Sequence, residues 1–63
     1  MTNEEILTYF AGHTVYLWNG TMDELHDAQV ESGSSYNTIV TDYKIYFISQ
    51  GDVTDTRATV VTI

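Results

Sequence analysis

The chain has 63 residues, no cysteine, no proline and a formal net charge of −7, from two basic against nine acidic residues. That length allows one small domain and no second, and such a chain buries only about 60% of the surface its unfolded form exposes. Disulfide scaffolds are excluded, binding by broad phosphate neutralisation is disfavoured, and a hydrophobic fraction of 43% is too high for a disordered acidic tail.

Small domains usually add disulfides, a metal or a partner subunit to a marginal core. Without cysteine, a reducing cytoplasmic setting is the expectation. The start, MTNEEILTYF, carries acids where a signal peptide needs positive charge. No apolar run approaches the roughly 20 residues of a membrane span. The expected protein is cytoplasmic, with no membrane partner, and self-association is the remaining source of stability.

Residues 2–11 are the one helical candidate. Thr2 or Asn3 can cap it, and Glu4 and Glu5 suit the positive end of the helix dipole. Ile6, Leu7, Phe10 and Ala11 have helical spacing, and Gly12 is a natural stop. The rest reads as strand, since one residue in three is Val, Ile or Thr. A first strand is predicted over 13–19, with Val15 and Leu17 on one face and Tyr16 and Trp18 on the other. Asn19-Gly20 then reads as a hairpin turn. A second strand is predicted over 22–31, with Met22, Glu24, His26, Ala28 and Val30 sharing a face. Ser32 to Ser35 form a turn. Strands over 36–41 and 44–49 follow, joined tightly near Asp42-Tyr43, and the loop at Gln50-Gly51-Asp52 leads to a fifth over 57–63. Short strands at regular spacing suggest a small barrel or sandwich. Tyr16 and Trp18 either form an exposed aromatic patch with Tyr43 or Tyr46, or both faces of the strand are covered, one by the barrel core and one by the N-terminal helix; the second is preferred.

One helix followed by five strands resembles the Sm/LSm family, including its bacterial Hfq branch. Val15 to Gly20 is similar to that family's V-x-L-x-N-G strand and turn. Tyr36-Asn37 resembles the end of its first motif. Ile48 to Val53 is similar to its second, with the arginine absent and the glycine displaced by one. The resemblance implies a mainly β domain over 1–63, a short N-terminal helix followed by a five-stranded, strongly bent antiparallel barrel. SH3-like and OB-like barrels share the pattern. It also implies a homo-oligomeric ring of five to seven subunits, joined through strand edges.

The resemblance further implies a single-stranded RNA or DNA site. Tyr36 would stack on a base, Asn37 would bond a base edge, and Gln50 and Gly51 would line the neighbouring wall. Lys44 and Arg57 would supply the cations. Stacking on aromatic faces contributes about 1–3 kcal/mol per base and needs few charges. Read without the resemblance, Tyr36 covers a barrel end and Asn37 stabilises a turn.

Metal chemistry has weak support. His26 lies near Asp23, Glu24 and Asp27, but strand alternation splits that group between two faces, and structural zinc needs four ligands. Residues 51–56 lack the acids of a calcium loop. No nucleophile motif, P-loop or dinucleotide fingerprint occurs. The expectation is no cofactor, no metal and no enzymatic activity. The leading function is an Sm-like accessory role in nucleic-acid processing. The alternative is an acidic protein-binding module or nucleic-acid mimic, of the kind a viral genome encodes, that blocks a basic partner.

Overall fold

The computed structural model describes residues 2–62. Ile63, the end of the expected fifth strand, lies outside them. The elements are α1 (Asn3–Tyr9), β1 (Tyr16–Trp18), α2 (Met22–Ser32), β2 (Tyr36–Thr41), β3 (Lys44–Ser49) and β4 (Ala58–Val60). The four strands form one open antiparallel sheet in the order β2-β3-β1-β4. The fold is mixed α/β, and the expected five-stranded closed barrel is corrected to this open sheet.

The decisive difference is α2, which occupies the predicted second strand. In a strand, Leu25 shares its face with Asp23 and Asp27, so burying it would bury two carboxylates at a cost of several kcal/mol each. A helix avoids this conflict. It turns Leu25 and Ala28 inward and leaves Asp23, Asp27 and Glu31 exposed. Thr21 and Glu24 form a capping box, with Glu24 N–H donating to Thr21 Oγ1 at 3.2 Å and Thr21 N–H to Glu24 Oε1 at 3.0 Å. Gly33, at φ 72°, ends the helix in the left-handed region.

Asn19-Gly20 is therefore no hairpin; it leads from β1 into α2. Gly20 is needed because a Cβ there would stand 2.8 Å from Trp18 Nε1. That indole N–H donates to the Thr21 carbonyl at 2.9 Å. The tight turn expected at Asp42-Tyr43 is present, and its φ angles of 51° and 63° suit a two-residue hairpin of the primed type.

α1 agrees closely with its predicted span and carries its own capping box between Thr2 and Glu5. β2 and β3 have their predicted bounds. β1 and β4 are shorter than predicted, at three residues each. The single-helix, five-strand layout behind the Sm-type resemblance is absent.

The sheet is covered on both faces. Ile6 and Phe10 of the first helical segment pack with Val15, Tyr46, Ile48 and Val61. Leu25 and Ala28 of α2 pack with Trp18 and Phe47 on the other side, with Tyr16, Tyr36 and Ile45 against them. Register explains the division, since Tyr16 faces Phe47 and Leu17 faces Tyr46 across β1 and β3. Both faces of β1 are covered, as expected, with the first helical segment over Val15 and Leu17; the expected barrel core is corrected to α2, which covers Tyr16 and Trp18.

Candidate functional site

Arg57 sits just before β4, where the chain returns to the sheet beside β1. Its guanidinium meets Asp55 twice, Nε to Oδ1 at 3.0 Å and Nη2 to Oδ2 at 2.8 Å. Nη1 reaches Glu24 Oε2 at 3.3 Å. The same group lies 4.6 Å from the Trp18 ring centroid, a cation–π distance. The Arg57 side-chain bonds to Asp55, followed by the Arg57 backbone N–H, hold the Asp55 carboxyl at about 2. Those bonds also raise the Arg57 pKa. Glu24 is held below the ordinary carboxylate range first by the Thr21 backbone N–H, then by the Thr21 hydroxyl, with Arg57 adding to it. Arg57 thus joins β4 to α2 and to the indole of β1. Its cationic head is already engaged by two carboxylates.

Tyr36 begins β2 on the α2 side of the sheet. Its ring stacks on Phe47 at 4.6 Å, and Tyr16 stacks on Phe47 at 5.3 Å. Trp18 meets Phe47 edge-on at 6.3 Å. The tyrosine nominated for base stacking is thus a half-buried part of an aromatic row across three strands.

Two concavities flank β2. One is a cleft of about 280 Å³ between α2 and the β3–β4 loop, lined by Ala28, Glu31, Ser32, Tyr36, Asp52, Thr54 and Asp55. Three carboxylates and no cation line it. The other is a groove of about 520 Å³ lined by His13, Ser35, Asn37, Ile48, Ser49 and Gln50. Asn37 and Ile48 pair on the α1 side of the sheet, so Asn37 and Tyr36 point to opposite faces.

Of the six nominated residues, the structure brings only Asn37 and Gln50 to one concavity. Gly51 lies against the α2–β2 turn, where a Cβ would meet Ser34 Oγ at 2.5 Å. Lys44 is exposed and pairs with Thr41 at the far end of the hairpin. That is four residues from the Asn37 pair, or ~13 Å along the strand. Arg57 lies at the opposite edge of the sheet.

Glu31, Asp52 and Asp55 were not nominated from sequence. Glu31 and Asp52 line one cleft only because the β3–β4 loop folds back beside α2, and no local spacing signals that. Among the described residues, no group of three or more His, Cys, Asp or Glu side chains is arranged to hold a metal ion. Among them, no helix is long and apolar enough to cross a membrane. The chain matches no protein-family model, no curated protein and no solved structure.

Proposed function

We propose that this protein is an acidic binding module that engages a basic partner through the exposed face of α2 and the cleft beside it. The observation that carries the reading is the carboxylate stripe Asp23, Asp27 and Glu31, at positions i, i+4 and i+8 of α2 and exposed throughout. Like charges four residues apart weaken a helix by about 0.2–0.5 kcal/mol per pair. Glu31 also stands in the last turn, where the dipole favours cations, and that turn has none. Asp23 suits the first turn, but Asp27 and Glu31 load the C-terminal half of the helix with charge that lowers its stability, the kind of local conflict expected at a functional surface. The cleft extends the stripe, because Glu31 belongs to both. A cationic side chain entering there would meet Glu31, Asp52 and the Tyr36 ring.

The test is a fluorescence titration of a labelled oligoarginine peptide at low salt, beside urea unfolding of the same proteins. Wild type binds the peptide, and binding weakens as salt rises. The double variant Asp27→Asn, Glu31→Gln binds roughly threefold to tenfold more weakly, yet unfolds at higher urea. No binding by wild type, or equal binding by the variant, overturns the reading.

A second reading keeps single-stranded RNA or DNA as the ligand. It is favoured by the shared groove of Asn37 and Gln50, whose amides suit base edges. A ring of five to seven copies would repeat Lys44 as its cation, since Arg57 is occupied. Labelled oligo-U in the same titration distinguishes it: saturable binding that Asn37→Ala abolishes supports this reading over the first.

A further inference from the structure

β2 is an edge strand that its sequence does not protect. It is six residues long and lies at one end of the sheet. Natural edges are blunted by shortness, charge, proline or bulges. The other edge, β4, is only three residues. Residues 34–41 contain no charge and no proline, in a chain of net charge −7.

The pairing identifies the open groups. Thr41 and Lys44 flank the two-residue turn and form the closing pair. Hydrogen-bonded pairs then alternate along the ladder, at Thr41, Ile39 and Asn37. The N–H and C=O groups of Tyr36, Thr38 and Val40 therefore point away from β3. Among the described residues, no bond outside the ladder takes up these backbone groups. Thr38 is exposed and Val40 is 56% exposed.

We infer that two copies of this chain join through β2 about a two-fold axis at Thr38, giving one continuous eight-stranded antiparallel sheet. The register follows from self-complementarity. With Thr38 opposite Thr38 of the second copy, Tyr36 stands opposite Val40, and each copy's three outward N–H groups meet three outward C=O groups. Across the hydrogen-bonded pairs, Thr38 faces Thr38 and Tyr36 faces Val40, a Thr pair and an aromatic with a β-branched residue, both favourable across antiparallel strands; between them Asn37 faces Ile39. No like charges oppose one another. The interface is isologous, so it closes at two copies. It leaves the exposed stripe of α2 outside the strand pairing, and so goes beyond the binding role proposed above.

The test is light scattering behind size exclusion, from micromolar to millimolar protein, at low and high salt. Wild type reaches twice the 7.1 kDa of one chain. Added salt strengthens the dimer, because it screens repulsion between two acidic copies. That is the opposite of its effect on a basic peptide. Thr38→Pro removes an outward N–H without touching the β3 ladder, and the variant is a folded monomer by circular dichroism. Should that variant unfold, Thr38→Lys carries the test, since it sets two ammonium groups opposite one another. A wild type that stays monomeric at every concentration overturns the inference. So does a particle of five to seven subunits, or a dimer that survives in the folded variant.

Discussion

At the scale of single residues, Arg57 shows how context reassigns chemistry. As one of two cations in the chain it is a natural candidate for nucleic-acid contact. In the fold it is a clamp, held by Asp55 and Glu24 and lying over Trp18. The clamp has a pH dependence of definite sign. The Asp55 carboxyl is lowered from 3.8 to about 2 in the folded chain. Its contribution is present above the unfolded value and is lost as pH falls through the folded one. Between pH 4 and 2, wild type therefore loses urea resistance relative to Asp55→Asn, and the two curves converge at the acid end. A constant difference across that window would show that Asp55 does not titrate with the clamp. Tyr36 was visible in the sequence as an aromatic at a turn. Its stacking partner was not, because Phe47 meets it only through strand pairing.

At the scale of elements, α2 is where sequence and structure part. Strand alternation over 22–31 puts Glu24 and His26 on one face with Met22, Ala28 and Val30. The better signal was present: Thr21 followed by Glu24 as a capping box, Leu25 and Ala28 three apart, and Gly33 as a left-handed end. Asn19-Gly20 before that box has the local preference of a hairpin turn. Local turn preference lost to the burial cost of Asp23 and Asp27 around Leu25. Because the cap supports the whole element, Thr21→Ala costs about 1 kcal/mol. For a domain of this size that lowers Tm by about 4–8 °C. Circular dichroism melts check this, and an unchanged Tm would show that α2 is held by packing alone.

At the scale of the whole molecule, a single sheet serves two small cores. Ile6 and Phe10 cover one face, Leu25 and Ala28 the other. β3 is common to both, with Tyr46 and Ile48 on one side and Phe47 on the other. Its buried run Tyr46-Phe47-Ile48 is the mark of a central strand covered on both faces. Phe47 is 0% exposed and contacts three aromatic rings. Phe47→Ala therefore costs about 3–5 kcal/mol, comparable to the 3–5 kcal/mol that a core this small supplies. The variant loses its cooperative thermal transition and its amide shift dispersion. A sharp transition near the wild-type midpoint would overturn the central role of this ring.

The sequence alone determined the elements whose signals are local. Thr2 and Glu5 cap α1, and the β-branched and aromatic runs at 36–41 and 44–49 make the hairpin. It also determined the charge, which disfavours nucleic-acid binding through the phosphate backbone. Only the tertiary structure decided that residues 22–32 are helical, that the sheet stays open, and that Glu31, Asp52 and Asp55 line one cleft. Those outcomes depend on contacts between residues far apart in the chain. A strand and a helix both accommodate the local pattern around Leu25, and the choice falls to whichever buries apolar side chains without burying carboxylates. The same packing fills the faces of the sheet and leaves the β2 edge uncovered.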